Sequence, residues 1–203
     1  MNKIKIIVLL LILILLAGCS GKDFVSTDIN SVVDPNYRNI NYSRIVAFCN
    51  INDMAARKEL ETAIKKEGQK ENITIYKSIE EAPPTREYSE EELMQVFRNL
   101  QARAILLVDI IAEDIKRDTY TTDKQTTIKR IGNYYYAEEQ GGDTYELDKP
   151  IARIEAILID LETGVNIWKG QVKAKGAAIS NFRHVREKTA EEIIKNLREK
   201  NLI

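Results

Sequence analysis

From Ile151 to Gly176, apolar and polar positions alternate on either side of one break, Glu162-Thr163-Gly164. This pattern predicts a β-hairpin with Gly164 at φ > 0, as a three-residue loop closed by a bulge requires. Pairing Leu161 with Val165 sets Leu158 opposite Trp168, Ala156 opposite Gly170, Ile154 opposite Val172 and Ala152 opposite Ala174. These four apolar or small pairs share one face, because side chains alternate along a strand. Arg153 and Glu155 fall on the other face, opposite Gln171 and Lys173. One register satisfies the turn, a buried face and a wet face.

The same reading extends along the chain. Arg44 to Asn50 predicts a strand, and Asn52 or Asp53 caps a helix from Asp53 to Glu67 with Ala56, Leu60, Ala63 and Ile64 inward, ended by Gly68. Asn72 to Tyr76 predicts a short strand, and Pro83-Pro84 breaks the chain. Ser89-Glu90-Glu91-Glu92 is a capping box for a helix that buries Leu93, Val96, Phe97 and Leu100. Ala104 to Ile111 is almost continuously apolar, as expected of a central strand covered on both faces. Glu113 to Lys149 is polar and rich in Thr and Tyr, and predicts two further strands that extend the sheet. Asn181 to Lys200 predicts a closing helix with Val185, Ala190, Ile193, Ile194 and Leu197 inward. The order β-α-β-α-β, then hairpins, then α, defines an α/β (α+β) fold. It predicts a mixed sheet of about five to seven strands with helices packed on it.

The first residues follow another pattern. Asn2-Lys3-Ile4-Lys5 is basic, Ile6 to Leu16 is unbroken and apolar, and Leu16-Ala17-Gly18-Cys19 follows. The apolar run is shorter than the ~20 residues that span a bilayer and has the length of a signal-peptide core. Gly21 to Tyr42, rich in Ser, Asp, Asn and Thr, reads as a tether that adds at most one edge strand near its end. The expected organisation is a signal peptide over 1–18, a lipidated N-terminus and tether over 19–42, and one globular domain over 43–203.

Leu16-Ala17-Gly18-Cys19 resembles the lipobox of bacterial lipoproteins. The resemblance implies cleavage before Cys19, thioether lipidation of its thiol, and acylation of the new amino terminus, with palmitate among the chains. Several acyl chains exceed the marginal hold of one, so attachment is expected to be stable. Three further stretches resemble a lipoprotein superfamily. It contains the curli secretion channel lipoprotein, the lipoprotein activators of penicillin-binding proteins, and the amino-terminal domain of the Tol–Pal propeller protein. The stretches are Ile45-Val46-Ala47-Phe48 leading into a helix, Ala102 to Val108, and Ala156 to Trp168 with its Asp160, Thr163-Gly164 and Trp168. A secretion pore is not expected. Its lipid-facing positions must be apolar for ~9–11 residues, whereas Lys116, Arg117, Asp118, Asp123, Lys124, Lys129 and Arg130 occupy the only candidate segment.

Charge and candidate chemistry narrow the picture. The 203 residues carry a formal charge of −1, and loss of Lys3 and Lys5 with the signal peptide takes it to −3, so nothing favours nucleic acid. Once Cys19 carries lipid, Cys49 has no disulfide partner and reads as a packed, inert thiol. The lone His184 precedes a helix and reads as a solvated or capping group. Phosphate-loop motifs are absent. No catalytic, cofactor-binding or metal residue is assigned. Asp109, Glu113 and Asp114 at the end of the central strand are the one cluster that could bind a cation or act as acid and base. Tyr134, Tyr135, Tyr136 and Tyr145 form the candidate partner surface. The expectation is a non-catalytic, membrane-anchored envelope lipoprotein that binds or scaffolds another envelope component. Its expected address is the outer membrane facing the periplasm, or the outer face of the cell membrane in a Gram-positive source. The alternatives are an enzyme acting on cell-wall material and a self-associating subunit of an oligomeric assembly.

Overall fold

The computed structural model describes residues 24–38, 40–121, 125–131, 134–140, 142 and 144–203, with the backbone alone described between 125 and 140. Cys19 and the signal segment lie outside the described residues.

Six strands form the main sheet: β1 (Val25–Val33), β2 (Arg44–Asn50), β3 (Thr74–Lys77), β4 (Ala104–Thr121), β7 (Thr144–Asp160) and β8 (Asn166–Gly176). Their order is β1-β8-β7-β4-β2-β3. β2 runs parallel to β3 and β4, and the remaining pairs are antiparallel, so the sheet is mixed as expected. β5 (Gln125–Ile131) and β6 (Tyr134–Gln140) pair only with each other. Helices α1 (Met54–Lys70), α2 (Ser78–Glu81), α3 (Glu90–Asn99) and α4 (Phe182–Glu199) complete the fold.

Two apolar clusters hold the layers. Leu60, Ala63 and Ile64 of α1 and Val185, Ala190, Ile193, Ile194 and Leu197 of α4 pack on Ala47, Leu106, Val108, Ile154, Leu158 and Trp168 of the sheet. On the opposite face, Phe97 of α3 joins Val46, Ile105, Ala82 and Leu161. β4 is therefore central and covered on both faces along its first half. Leu93, Val96 and Leu100 of α3 are only partly buried.

The hairpin keeps its predicted register from Ala152↔Ala174 to Leu158↔Trp168. It departs at the turn. A bulge between Leu158 and Ile159 shifts the pairing, and Asp160 N–H donates to the Val165 carbonyl at 3.0 Å. Leu161 leaves the hairpin, donates to the Arg103 carbonyl at 2.9 Å, and is buried in the second cluster. Gly164 sits at φ 72°, and the Asp160 carboxylate closes the turn by accepting from Glu162 N–H, Thr163 N–H and Thr163 Oγ1.

Three readings need correction. The segment read as a tether supplies β1, a nine-residue edge strand along β8. Its inward-facing polar members, Thr27 and Ser31, donate to Glu192 and Asn196 of α4 at 3.3 and 2.8 Å, which hides the strand from an apolar pattern. Gly68 does not stop α1, which continues to Lys70. A Cβ at Gly68 would lie 2.3 Å from Ile75 Cδ1, so this glycine permits the close crossing of helix and strand. The left-handed residue that turns the chain is Asn72, at φ 60°. Finally, the two strands read between Glu113 and Lys149 do not extend the main sheet: β5 and β6 pair with each other, and Glu113 to Thr121 and Thr144 to Lys149 are the outer halves of β4 and β7.

The helix caps match their sequence signals. Asp53 accepts from Ala55 and Ala56 N–H. Ser89 and Glu92 form a reciprocal box at α3. Asn181 and His184 form one at α4, where His184 Nδ1 accepts from Asn181 N–H at 3.3 Å.

Candidate functional site

The three carboxylates at the end of the central strand do not converge. Pairings Asp109↔Glu155 and Glu113↔Ala152 lie on opposite faces, because a bulge at Ile111 separates them. Asp109 accepts from Asn50 Nδ2 at 2.8 Å. Glu113 grips Arg186 of α4 at 3.0 and 3.1 Å, and Glu59 of α1 takes the other side of that guanidinium at 3.0 Å. Asp114 accepts from Ile115 N–H at 2.7 Å. The arrangement clamps α1 and α4 to the sheet and leaves no shared pocket for a cation or an acid–base pair. Among the described residues no group of three or more His, Cys, Asp or Glu side chains could hold a metal ion.

Two buried carboxylates organise the core, and of them Glu61 escapes the sequence reading. Glu61, fully buried on α1, accepts from Arg57 Nε (3.0 Å), Ser78 Oγ (2.7 Å), Ile79 N–H (2.9 Å) and Cys49 N–H (3.2 Å). Its lone pairs are thus engaged, and it locks α1 to β2 and to the first turn of α2. No sequence signal marks it beyond a Glu on the apolar side of a helix four residues after an Arg. Asp160 Oδ2 accepts from the buried Tyr42 hydroxyl at 2.9 Å. Burial pushes the Asp160 pKa up, but hydrogen bonds from Thr163, Tyr42 and Glu162 outweigh it and hold the carboxyl below its ordinary range. Burial and the hydrogen bond to Asp160 push the Tyr42 hydroxyl far upward. Cys49 is free and fully buried, and burial first, then the charge of Glu61, pushes its thiol up, as an inert packing role requires.

What stands clear of the core is a ribbon. β8 ends opposite the Pro150↔Ile115 pair, so from Lys116↔Lys149 to Thr121↔Thr144 the two strands run with no described neighbour on either side. This stretch of six residues at 3.4 Å each is about 20 Å long, and β5 and β6 follow in the same register, from Gln125↔Gln140 to Ile131↔Tyr134. Ion pairs between its strands brace it: Arg117 Nε to Asp148 at 2.9 Å and Lys149 Nζ to Asp118 at 2.8 Å, with Lys149 also donating to Tyr120 Oη at 2.9 Å. The Lys149 hydrogen bond holds the Asp118 carboxyl below its ordinary range, and Asp118 pushes Lys149 up. Toward the outer end of this stretch Tyr120 pairs with Tyr145; they are 48% and 52% exposed, and Leu147 beside them is 37% exposed. Of the tyrosines singled out from sequence, Tyr145 is therefore on this surface. Tyr134, Tyr135 and Tyr136 lie in β6 opposite Ile131, Arg130 and Lys129, with their side chains outside the described residues. Sequence reasoning misses Tyr120 and Leu147. Their signal is weak: a lone aromatic in Asp118-Thr119-Tyr120-Thr121 and a lone Leu between acids.

A groove of about 480 Å³ between α1 and α4 is lined by Lys58, Glu59, Lys66, Glu67, Arg183 and Glu187. Its opposite charges neutralise one another, as in the Arg183–Glu187 pair at 3.1 Å, so it presents no single-sign site.

No family model matches the chain, and no curated protein matches it. Solved structures similar to it include the PelC dodecamer from Paraburkholderia phytofirmans, at 11% identity and TM-score 0.46, covering 88% of this chain and 99% of that one. Lipoprotein GNA1162 from Neisseria meningitidis is similar at 9% identity and TM-score 0.42, over 77% and 99%. A PDZ domain protein from Parabacteroides distasonis is similar at 11% identity and TM-score 0.31, over 84% and 35%. Among the described residues no helix is long and apolar enough to cross a membrane.

Proposed function

We propose that the protein is a non-catalytic cell-envelope lipoprotein, held to the membrane through Cys19, that binds or scaffolds another envelope component through its β4–β7 ribbon. The anchor rests on Leu16-Ala17-Gly18-Cys19 behind a basic, apolar leader. The observation that carries the binding role is the ribbon itself: a braced two-stranded projection that buries nothing of its own and offers Tyr120, Tyr145 and Leu147 to solvent. Exposed aromatics on a preorganised backbone bind at low entropic cost. The carboxylates considered for catalysis are each occupied by structural partners. In this reading the domain faces the periplasm from the outer membrane, because Ser20 rather than Asp after Cys19 resembles an outer-membrane address in enterobacteria-like sorting.

The test combines anchor and ribbon. Cys19→Ser is expected to leave the signal segment in place and to take up no labelled fatty acid; labelling of that variant would refute the anchor. A pulldown from detergent-solubilised envelopes is expected to recover an envelope partner with the native chain and to lose it with Tyr120→Ala/Tyr145→Ala. Recovery that is identical for both would refute the ribbon's role.

A further inference from the structure

We infer that the corner formed by Phe24 and the loop 177–181 is the surface that the domain lays on the bilayer holding its anchor. This rests on lipidation at Cys19. Four residues, Ser20 to Asp23, separate Cys19 from Phe24, so the five steps from one to the other span about 17 Å even when fully extended. The domain therefore cannot stand far from the membrane, and what meets the membrane must lie near Phe24.

The structure places apolar groups there. Phe24 is fixed to the end of β8, its carbonyl accepting from Ala177 N–H at 2.9 Å, yet its side chain is 45% exposed. Ile179 in the following loop is 64% exposed, and Ala178 beside it is also exposed. Val25, Gly176, Pro150 and Ile115 form one row across the end of the sheet, and Ile115 is 50% exposed. Three separate segments thus present large apolar side chains at the end where the anchor enters. Lys175 and Lys149, the latter paired with Asp118, line a cleft of about 430 Å³ beside Phe24, and Lys175 would meet lipid phosphates there. An apolar corner flanked by a lysine suits the boundary between headgroups and acyl chains. The contact needs little affinity of its own, because the anchor keeps the surface at high effective concentration.

The ribbon constrains the orientation. It leaves from the same end and carries Lys116, Arg117, Asp118 and Asp148, which hydrocarbon excludes. β4 stands three strand spacings from β1, about 14 Å. The domain accordingly meets the bilayer at its β1 corner, and the ribbon lies over the headgroups, where its exposed side chains can reach a partner at the membrane surface.

The test uses the full lipidated chain in vesicles of phosphatidylethanolamine and phosphatidylglycerol, with or without brominated acyl chains. Trp168 is the only native Trp and is buried, so it supplies a constant background. Ile179→Trp and, separately, Ala178→Trp add a probe to the corner, and Val165→Trp adds one to the hairpin turn at the other end of the sheet. The corner probes are expected to shift to the blue on vesicles and to lose emission to bromine, while the Val165→Trp signal stays at the native level. Equal quenching at both ends, or none at either corner position, would overturn the proposal. Mass spectrometry of the same sample separates the two failures: an acylated chain without corner quenching refutes the surface alone, and a chain without acyl groups refutes the anchor on which it rests.

Discussion

Trp168 and Gly170 form a pair whose coupling measures the hairpin's packing. The indole is 1% exposed, lies opposite Leu158, and donates from Nε1 to Asn196 Oδ1 at 3.1 Å. Its ring lies over Gly170, where a Cβ would fall 2.5 Å from Cη2 and Cζ2. Carbon atoms prefer about 3.5–4.0 Å, so Gly170→Ala must push the indole off its hydrogen bond, at a cost of about 1–3 kcal/mol. Trp168→Ala removes the ring and leaves a cavity, at ~3–5 kcal/mol, a large part of the ~5–15 kcal/mol that holds a typical domain together. Asn196 keeps its bond from Ser31, so no buried acceptor is stranded. Once the ring is gone, the methyl group that Gly170→Ala introduces has nothing to strike, and alanine suits a strand better than glycine. The double variant should therefore be less damaged than the sum of the singles by about 1–3 kcal/mol. Lys169→Ala, exposed and paired with Glu155 at 2.8 Å, should cost at most ~1 kcal/mol. Urea unfolding followed by far-UV circular dichroism measures all four, since fluorescence is lost with the only Trp. In the native chain the emission should start blue-shifted and move to the red on unfolding. Additive effects at 168 and 170 would refute the contact, and equal effects of Trp168→Ala and Lys169→Ala would refute the register.

Further outcomes follow from the same geometry. Gly68→Ala, which would favour an ordinary helix, should instead destabilise by about 1–3 kcal/mol in thermal unfolding, and Ile75→Val should recover part of the loss by vacating the contact at 2.3 Å. Because the Asp160 pKa is lower folded than unfolded, its ionised form contributes stability that is fully present above about pH 4 and is lost as pH falls through the folded-state value. Urea midpoints between pH 6 and 3 should therefore fall less steeply for Asp160→Asn than for the native chain. Cys49 should resist alkylation in the folded protein and react fully in denaturant; fast native labelling would contradict its burial.

The hairpin is legible in sequence because turn chemistry, apolar face and charged face all demand one register. The caps of α1, α3 and α4 are legible for a similar reason: Asp53, Ser89 with Glu92, and Asn181 act on backbone within three residues. β1 is not, because Thr27 and Ser31 fill its inner face by bonding to a helix 165 residues further on. Gly68 misleads because a helix-ending glycine and one that admits a neighbour look alike in sequence. The ribbon misleads because the change from apolar to polar near Ile111 marks where the covering helices end, not where the strand ends. The resulting surface depends on register across the long pairing of β4 with β7, which brings Tyr120 to Tyr145. The clamp of Glu59 and Glu113 on Arg186 likewise joins three distant elements.

The most direct test of the account places a photo-crosslinking amino acid at Tyr120 in the full-length chain and irradiates intact envelopes, with the same group at Val165 on the opposite end of the sheet as control. The account predicts a defined crosslink from position 120 to another envelope component and none from position 165. Crosslinks of the same kind and yield from both positions, or from 165 alone, would contradict it.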